Sequence, residues 1–406
     1  MELLVLKFGG TSVADIDRIK AVALKIKSEA DKKNKIIVVV SAMSGVTNNL
    51  VRLVKEASKT YQQSEYDAAL SSGEQVTSAL LSIALESLGI KSRSWLGWQI
   101  PIITDDVHGN ARIKEIKKEN ILKSIDKGFI AIVSGFQGIS SKNRITTLGR
   151  GGSDTSAVAL AAAFSADRCD IYTDVDGVYT TDPRIVKNAK KLDYITYEEM
   201  LELASQGAKV LHTRSVALAM KYSVKLRVLS SFKNLPGTTV VNEEYNMEKS
   251  EIIGIAHNPN EAKITISRVP DKPGQAALIF GALADKGINV DMIVQSSTID
   301  NSSTDITFTI PENDLILAQG IIKNIQTDIG FSQVTSNINV VKISIVGNAM
   351  RSQPGIAKTM FATLANNQIN IHVISTSEIK ISVLVSSDYT ELAMRSLHTA
   401  FSLDKQ

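Results

Sequence analysis

The sequence predicts an α/β domain with a mainly parallel sheet covered by helices, followed by two ferredoxin-like (βαββαβ) domains. Apolar strand-like runs alternate with helical patterns up to about residue 240, as expected for a parallel sheet buried on both faces. A charged and polar segment over Asn242–Glu251 interrupts this alternation. Beyond it the chain repeats itself: 81 residues separate Pro273 from Pro354, and the same number separates Asn289 from Asn370. Each copy reads strand, Pro-Gly turn, helix, strand, strand, helix, which predicts the two small domains.

Composition favours a cytoplasmic enzyme and argues against several other classes. The 406 residues are 44% hydrophobic and 21% charged, and the formal net charge of +3 comes without a long basic run, so nucleic acid is not an expected partner. No apolar run approaches the roughly 20 residues that span a bilayer, and the chain enters a strand too early for a charged leader. The single Cys169 excludes an internal disulfide framework and suits a reducing compartment.

Hydrophobic periodicity places the elements of the first domain. The predicted strands are Leu3–Phe8, Ile36–Ser41, Phe129–Ser134, Asp170–Asp174 and Leu226–Leu229. The predicted helices are Ile16–Lys27, Asp67–Leu88, Thr155–Phe164, Tyr197–Ser205 and Val210–Tyr222. Ligands of such folds bind at the carboxyl ends of the strands, where Lys7, Ser41, Ser134 and Asp174 all lie. We therefore expect a ligand site at this edge of the sheet.

The first strand ends in a segment suited to phosphate. Lys7 and Phe8 are followed by Gly9 and Gly10, and a helical pattern begins soon afterwards. Paired glycines let backbone N–H groups surround an anion, and a lysine beside them supplies a point charge. The spacing is not that of the usual P-loop. The alternative is a tight strand-to-helix turn with an exposed lysine.

Four further segments carry candidate residues, each with a structural alternative. Arg150, followed by two glycines, is suited to clamping a carboxylate, whereas Asp154 at the helix start is also a plausible capping residue. Glu74 follows Ser71 by three residues, which is the pattern of a capping box. Lys209 has the alternative of an ordinary solvated lysine. The segment Asp174–Tyr179 contains an Asp-Gly pair typical of a hairpin.

The repeats are candidate amino-acid sensors. A Pro-Gly turn that opens a helix leaves N–H groups able to hold a small carboxylate, and Asn289 and Asp291 lie where an ammonium group would be bound. The alternative is that the turn only starts a helix. The second copy has His372 in place of Asp291, so we expect the two copies to bind effector differently. The repeats resemble ACT domains, which bind amino acids where two modules pair.

Taken jointly, these motifs resemble the aspartate kinases, a family of the amino acid kinase superfamily that carries tandem ACT domains. The motifs occur in the family's order and the resemblance covers essentially the whole chain: Lys7-Phe8-Gly9-Gly10-Thr11-Ser12-Val13, Ser41-Ala42-Met43, Ser72-Gly73-Glu74, Thr147-Leu148-Gly149-Arg150-Gly151-Gly152-Ser153-Asp154, Thr173-Asp174-Val175-Asp176-Gly177-Val178-Tyr179 and Thr181-Asp182-Pro183-Arg184. The resemblance implies phosphorylation of L-aspartate by ATP to 4-phospho-L-aspartate, which opens the route to lysine, diaminopimelate, threonine and methionine. Thr213 departs from the family pattern, in which proline often follows the histidine at position 212.

The resemblance also assigns roles to residues. The implied catalytic residues are Lys7 and Asp154, and the implied aspartate site comprises Ser41, Thr47, Glu74, Arg150, Gly151 and Ser153. The implied ATP site comprises Lys7, Phe8, Gly9, Gly10, Ser12, Thr173, Asp174, Tyr179, Asp182, Arg184 and Lys209. The implied effector site comprises Asp271, Gly274, Gln275, Ala276, Asn289, Asp291, Gln295, Asn370, Ile371 and Ser377. His108 fits the family as well, but no role follows for it from the sequence.

The residues suit the chemistry of a carboxylate acceptor. A side-chain carboxylate of pKa about 4 is already ionised at neutral pH, so no general base is required. The difficulty is to stabilise charge when an anion attacks a polyanion, which requires lysine, loop amides and magnesium. We expect Mg²⁺ to be held mainly by the ATP phosphates and water, and we assign it no protein ligand.

Two other readings compete with this one. The first is an amino acid kinase acting on acetylglutamate, glutamate or UMP: Glu74 argues against an acylated amine, and the tandem sensors argue against the nucleotide kinases. A catalytically inactive amino-acid sensor is expected to lack Lys7, Arg150 or Asp154, and all three are present.

The expected organisation is a catalytic domain over residues 1–241, a linker over 242–252, and ACT domains over 253–330 and 331–406. Lysine, threonine or both are the expected inhibitors, and a homo-oligomer joined through the ACT domains is the expected assembly. Met247 in the linker would suit an internal start that makes a separate regulatory subunit.

Overall fold

The computed structural model describes residues 1–207, 210–242, 252–297, 303–347, 350 and 355–405. These residues divide into two compact units. The first unit comprises Met1–Val178, Lys191–Ser205 and Lys209–Glu248, and the second comprises Tyr179–Lys190, Gln206–Ala208 and Lys249–Gln406. The predicted site residue Lys209, the proposed start at Met247, Pro354 and most of the predicted linker lie outside the described residues.

The first unit alternates strands and helices. Its strands are β1 (Leu3–Phe8), β2 (Lys35–Val40), β3 (Ser92–Trp95), β4 (Ile102–Thr104), β5 (Ile113–Ile116), β6 (Ile130–Ser134), β7 (Gln137–Ile139), β8 (Ile145–Thr147), β9 (Arg168–Thr173), β10 (Tyr194–Thr196), β11 (Leu226–Ser230) and β12 (Thr238–Val241). Its helices are α1 (Ile16–Ala30), α2 (Val46–Ala57), α3 (Gln63–Leu70), α4 (Ser72–Glu86), α5 (Glu119–Asp126), α6 (Gly152–Ala163), α7 (Tyr197–Ser205) and α8 (Thr213–Tyr222), and a 3-10 helix spans Gly10–Val13.

The main sheet has eight strands in the order β10-β12-β11-β9-β1-β2-β6-β3. All of its pairs are parallel except β11 with β12, which confirms the predicted mainly parallel sheet. The central strands are buried throughout because they carry apolar side chains on both faces. The chain leaves β1 toward β2 on one side and later returns to β9 on the other. The crevice expected from such a reversal lies at the carboxyl ends of β1 and its neighbours.

The predicted elements of this unit match the observed ones closely, with one break. Strand β1 has the predicted bounds, and the other predicted strands differ by one or two residues at an end. The predicted helix Asp67–Leu88 is two helices, α3 and α4. At the junction, the Ser71 hydroxyl donates to the Ala68 carbonyl at 3.0 Å and the Ser72 hydroxyl to the Ala69 carbonyl at 2.7 Å. Such side-chain bonds compete with the helical ladder, so the two serines mark the break.

Four of the strands between β3 and α6 form a small second sheet, in the order β5-β4-β7-β8. Strand β8 ends at Thr147, directly before the glycine-rich segment that starts α6. The end of this sheet therefore sets the position of Arg150 and its neighbours at the edge of the main sheet.

The second unit contains two four-stranded antiparallel sheets. Its strands are β13 (Gly254–Asn258), β14 (Glu261–Pro270), β15 (Asp291–Ser297), β16 (Ser303–Pro311), β17 (Gln333–Asn337), β18 (Val340–Val346), β19 (Ile371–Thr376) and β20 (Lys380–Ser386). Its helices are α9 (Gln275–Ala284), α10 (Leu315–Asn324), α11 (Gln326–Ile329), α12 (Gly355–Asn366) and α13 (Thr390–Ala400), with 3-10 helices at Glu312–Asp314 and Ser387–Tyr389. The sheet orders β15-β16-β14-β17 and β13-β18-β20-β19 confirm the two ferredoxin-like domains.

Strand β13 completes the second sheet although it precedes the first repeat in the chain. It pairs antiparallel with β18, from Gly254 opposite Val346 to Asn258 opposite Lys342. The predicted boundaries assign these residues to the first repeat instead. Sequence periodicity misses this exchange, because an edge strand has the same local pattern whichever sheet it joins.

The segment Tyr179–Lys190 packs in the second unit although its neighbours in sequence belong to the first. The Ile255 N–H donates to the Thr180 carbonyl at 2.7 Å, and Arg395 donates through Nε to the Ile185 carbonyl at 3.0 Å. Val186 is buried in the core that α13 and β18 share. The contacts of this segment explain why it departs from the predicted boundary at residue 241.

No helix among the described residues is long and apolar enough to cross a membrane.

The buried carboxylate of Asp170 in β9 yields a stability prediction. It accepts hydrogen bonds from Arg227 at 2.7 and 2.8 Å and from Arg168 at 3.0 and 3.1 Å. Asp170→Ala should lower the free energy of unfolding by about 3–5 kcal/mol, because the partly buried Arg227 guanidinium loses its carboxylate partner and Arg168 keeps only Glu2 and Glu29. Asp193→Ala removes an exposed pair with Lys191 and should lower it by less than about 1 kcal/mol. Equal losses in urea unfolding would contradict this ranking.

Candidate active site

A cavity of about 330 Å³ opens at the carboxyl ends of β1 and β2, at the predicted edge of the sheet. It is lined by Lys7, Gly10, Ser41, Ala42, Met43, Ser44, Gly45, Thr47, Asn48, Glu74, Phe136, Gly149, Arg150, Gly151, Gly152, Ser153 and Asp154. The structure therefore brings together both predicted catalytic residues and all six residues of the predicted aspartate site. They come from five places in the chain: β1, the segment after β2, the start of α2, α4 and the glycine-rich segment that begins α6.

Lys7 and Asp154 form an ion pair at the centre of this lining. Lys7 lies in β1 between Val39 and Ile171 of the flanking strands, and its Nζ is 2.5 Å from Asp154 Oδ1. The two side chains are only 11% and 13% exposed. Asp154 is the third residue of α6, and Gly151 precedes the helix without a side-chain cap. The Asp154 carboxylate thus faces Lys7, and the capping alternative does not describe it.

Glycines allow the backbone to approach closely around the cavity. A Cβ on Gly10 would lie 2.9 Å from the Ala42 carbonyl oxygen. Gly151 has φ +69, and a Cβ there would lie 2.3 Å from His212 Cγ. The Gly9 N–H already donates to the Tyr172 carbonyl at 3.3 Å, so it is Gly10 of this pair that lines the cavity. Both predicted glycine segments therefore line the cavity that contains the Lys7–Asp154 pair.

Glu74 is a buried carboxylate with one oxygen unpartnered. Its residue is 3% exposed, and Oε1 accepts a hydrogen bond from the Ala42 N–H at 3.1 Å. Oε2 is buried without a hydrogen-bond partner. Burial raises the pKa of Glu74 to about 7, against the weaker opposing effect of the Ala42 N–H. The Ser71 side chain does not cap α4, so the capping-box alternative for Glu74 is wrong.

Arg150 and Ser153 supply the remaining polar groups of the α6 edge, and Ser41 and Thr47 supply those of the β2 edge. Arg150 is exposed, whereas Ser153 is 8% exposed in the first turn of the helix. A carboxylate placed here meets a guanidinium group and the positive end of a helix dipole.

The predicted nucleotide residues divide between the two units. Phe8 is buried and stacks on Tyr172, so only its backbone is available to a ligand. Ser12 and Ser231 are joined by a hydroxyl–hydroxyl hydrogen bond of 2.5 Å. Thr173 ends β9 and its hydroxyl donates to Asp174 at 3.1 Å. Strand β9 continues into bends rather than a hairpin, so the hairpin alternative at the Asp-Gly pair is wrong.

Tyr179, Asp182 and Arg184 belong to the second unit. Arg184 donates to Asp182 through Nε at 3.0 Å and through Nη2 at 2.7 Å. This bonding lowers the pKa of Asp182 against the cost of its partial burial. The two predicted nucleotide ligands are therefore paired with each other, with the Arg184 side chain 88% exposed.

Sequence reasoning did not single out Ser231 and Lys233, which contact the segment that carries the predicted nucleotide residues Thr173 and Asp174. Both follow β11, whose Ser230 is opposite Thr173 of β9, and the Ser231 N–H donates to the Thr173 carbonyl at 2.9 Å. Lys233 Nζ lies 3.3 Å from Asp176 Oδ2. Their position after a parallel strand is the signal that would have found them, because it is the same signal that found Lys7 and Ser41.

The predicted effector residues lie on three elements of the second unit. Asp271, Gly274, Gln275 and Ala276 are at the start of α9, Asn289, Asp291 and Gln295 are before or within β15, and Asn370, Ile371 and Ser377 are beside or within β19. The edge strands β15 and β19 contact each other, which brings residues of both repeats together. Gln275 Oε1 is buried without a hydrogen-bond partner.

Asp291 already has an ammonium partner. Lys342 of β18, whose side chain is 3% exposed, contacts the Asp291 carboxylate and lies 3.3 Å from Glu261 Oε1. Burial opposes ionisation of Asp291, but the charge and hydrogen bond of Lys342 together with the Met292 N–H outweigh it and lower the pKa of Asp291. Lys342 therefore joins the second repeat to two acids of the first.

The described part of the chain contains no group of three or more His, Cys, Asp or Glu side chains placed to hold a metal ion.

Comparisons with known proteins agree with this architecture. An amino acid kinase family model matches residues 2–230, and an ACT domain model matches residues 264–324 and 343–401. An aspartate kinase of Stutzerimonas stutzeri is 52% identical over 405 residues, covering 100% of this chain and 98% of the relative. E. coli aspartokinase III in complex with aspartate and ADP is 28% identical with a TM-score of 0.84, covering 98% of this chain and 99% of that one. The same enzyme in complex with lysine and aspartate has a TM-score of 0.78 at 28% identity, covering 99% and 100%.

The two family models define a class, the amino acid kinases that carry ACT domains. Within it, the chain belongs to the aspartate kinase family, and it is accordingly an ATP-using phosphotransferase.

The pKa of Glu74 gives a stability prediction. A carboxyl group whose pKa rises from its ordinary value of 4.5 to about 7 on folding binds more protons in the folded chain, so stability falls as pH rises through that window. The loss between pH 4.5 and pH 8 is about 3 kcal/mol. Glu74→Gln should abolish this component, so the variant should gain stability relative to the wild type as pH rises. Urea unfolding at pH 5 and pH 8 measures the difference.

The control is Glu86→Gln, which changes an exposed carboxylate at the other end of α4. Its unfolding free energy should follow that of the wild type at both pH values. A Glu74→Gln variant that also follows the wild type would show that Glu74 ionises normally.

Proposed function

We propose that the enzyme transfers the γ-phosphoryl group of ATP to the side-chain carboxylate of L-aspartate, forming 4-phospho-L-aspartate, the first step toward lysine and diaminopimelate, threonine and methionine. The observation that carries this proposal is the unpartnered, buried Oε2 of Glu74 in the same cavity as the Lys7–Asp154 pair. A buried carboxylate oxygen without a partner is costly unless a ligand supplies one. The α-ammonium group of an amino acid supplies both the hydrogen bond and the charge.

The acceptor is held through its two oppositely charged α-groups. Glu74 pairs with the α-ammonium group, and Arg150 with the α-carboxylate across the cavity. Ser41, Thr47, Gly151 and Ser153 complete the frame. An acylated amine lacks the charge that Glu74 needs, which argues against acetylglutamate as substrate. The side-chain carboxylate is then directed toward Lys7.

The transfer needs charge stabilisation rather than a base, because the acceptor carboxylate is already ionised at neutral pH. Neither histidine nor cysteine occurs among the described residues that line the cavity. Lys7 and the Gly10 amide stabilise the negative charge on the phosphoryl group in the transition state, and Asp154 fixes the orientation of the Lys7 ammonium group.

ATP enters as its magnesium complex, in which the ion screens the phosphate charge. The nucleotide is held by the chain around Phe8, Gly9 and Ser12 and by Thr173 and Asp174, with Tyr179, Asp182, Arg184 and Lys209 as further ligands. Ser231 and Lys233 are added to this set because they follow the neighbouring strand β11. The complex of E. coli aspartokinase III with aspartate and ADP supports a site for both reactants.

Feedback inhibition by lysine, threonine or both is proposed to act through the ACT domains. The effector is held between the start of α9 and the strands β15 and β19, where Gln275 Oε1 lacks a partner. The complex of E. coli aspartokinase III with lysine supports this proposal. Exposed apolar side chains on the same strands, Ile293 and Ile374, support pairing of two chains through this face.

The proposed domain organisation keeps the predicted boundaries with two additions. The catalytic domain spans residues 1–241, the linker 242–252, and the regulatory domains 253–330 and 331–406. Strand β13 serves the second regulatory domain, and Tyr179–Lys190 packs with the regulatory unit. A cytoplasmic location is proposed from the single cysteine.

Acceptor-dependent hydroxamate formation with MgATP and hydroxylamine tests the reaction. Aspartate should support turnover, and glutamate and N-acetylglutamate should not. Lys7→Ala and Asp154→Ala should each lower kcat at least about 100-fold, because each removes half of the central ion pair. Lys20→Ala, an exposed lysine of α1, is the matched control and should retain wild-type turnover. Equal turnover with N-acetylglutamate would refute the assigned acceptor.

Regulation is tested by initial rates with saturating lysine and threonine, singly and together. At least one condition should lower the rate and raise the melting temperature, because the effector binds one arrangement of the enzyme preferentially. Asp291→Ala should weaken inhibition relative to its own uninhibited rate, and Asp285→Ala, an exposed acid at the end of α9, should not. Rates and melting temperatures untouched in all three conditions would reject feedback by these amino acids.

A further inference from the structure

The segment directly before Arg150 is held by two distant polar side chains. It runs from Thr147, the last residue of β8, through Leu148 and Gly149. Thr147 and Leu148 are each 1% exposed, whereas Arg150 is exposed at the cavity. The backbone that carries Arg150 is thus buried and the guanidinium group is not.

The first of these two side chains is that of Asp67 in α3, which is fully buried. Its Oδ1 accepts a hydrogen bond from the Thr147 hydroxyl at 2.5 Å. Its carboxylate also accepts the Gly109 N–H at 3.0 and 3.1 Å and is 2.7 Å from His108 Nδ1. One buried charge therefore joins α3, the turn at His108 and the end of β8. This network gives His108 the structural setting that its sequence context did not reveal.

The second side chain is that of Arg214, in the first turn of α8. Its Nη1 donates to the Leu148 carbonyl at 2.8 Å, and its Nη2 donates to the Ala111 carbonyl at 2.6 Å. The Arg214 guanidinium group thus binds two backbone carbonyls and links the chain just after the His108 turn to the segment before Arg150. Two charged side chains from different helices thus hold the consecutive residues Thr147 and Leu148.

The glycines after this segment leave little room for movement. Gly149 has φ +77, and a Cβ there would lie 2.9 Å from Asn110 Oδ1 and 3.1 Å from the Gly109 carbonyl oxygen. Gly151 is equally confined by His212. Arg150 therefore projects from a backbone that is packed against the His108 turn on one side and α8 on the other.

We propose that Asp67 and Arg214 are positioning residues for the aspartate α-carboxylate: they fix the backbone that aims Arg150, without contacting the substrate themselves. The inference rests on the proposed role of Arg150. A two-pronged contact between a guanidinium and a carboxylate depends on angle as well as distance. A misplacement of about 1 Å in such a group lowers rates by about 100-fold.

The test uses Thr147, because it links Asp67 to the segment and can be changed conservatively. Thr147→Val keeps the shape and removes the hydroxyl, whereas Thr147→Ser keeps the hydroxyl and removes a methyl group. Thr147→Val should raise KM for aspartate about tenfold and leave KM for ATP within about twofold, and Thr147→Ser should stay within about twofold of the wild type in both. Asp67→Asn and Arg214→Lys should also raise KM for aspartate.

Asp106→Asn is the charge-matched control. Asp106 is exposed in the loop just before His108, and its carboxylate accepts from Ser141 rather than from the Thr147 segment. It should leave both KM values unchanged. A double-mutant cycle separates positioning from general stability: in an Arg150→Ala background, Thr147→Val should add little further loss in aspartate affinity.

The outcomes divide cleanly. Thr147→Val with a normal KM for aspartate would overturn the positioning role, as would a full additive loss in the Arg150→Ala background. A wild-type enzyme without aspartate-dependent turnover would overturn the proposed reaction, and the positioning role with it. Melting curves of each variant confirm that the assays compare folded enzymes.

Discussion

The ion pair between Lys7 and Asp154 is the constraint around which the catalytic unit is arranged. A lysine whose side chain is 11% exposed near the end of a central strand needs a nearby counter-charge, since desolvation of an isolated charge is expensive. Asp154 meets this need only if the start of α6 lies beside the end of β1. That placement in turn requires the glycines before α6, which let the backbone pass close to Phe136 and His212. The parallel sheet provides the rigid edge on which these segments meet.

Glu74 is a buried ionisable group in the same cavity that, unlike Lys7, has no ion-pair partner among the described residues. Its burial raises the pKa to about 7 and leaves one carboxylate oxygen without a partner, so the free enzyme holds a group that is less stable there than in water. In the proposed reaction, the ammonium group of the substrate supplies the missing partner and the missing charge. Under that proposal, part of the folding free energy is given up to create selectivity for an unmodified amino acid, which is the usual relation between active sites and stability.

The sequence was most informative where local pattern and function coincide. Strand β1 and the carboxyl-end residues Lys7 and Ser41 followed from apolar periodicity and the topology of parallel sheets. Local pattern misled at Glu74, whose spacing from Ser71 mimics a capping box, because a side chain's direction depends on tertiary contacts. Asp67 gave no signal at all: its partners are about 40 and 80 positions away in the chain, and a single buried acid has no periodicity. The membership of β13 was hidden for the same reason.

The exchange of β13 limits how the regulatory half can be cut. A fragment that begins after the first repeat lacks the strand that pairs with β18, and it exposes an unpaired edge along the most buried strand of its sheet. A fragment that begins just ahead of Gly254 retains this strand but loses Val186, which fills the same core from an earlier part of the chain. The second repeat should therefore aggregate when it is expressed alone, and a soluble regulatory fragment has to begin ahead of β13, upstream of both repeats.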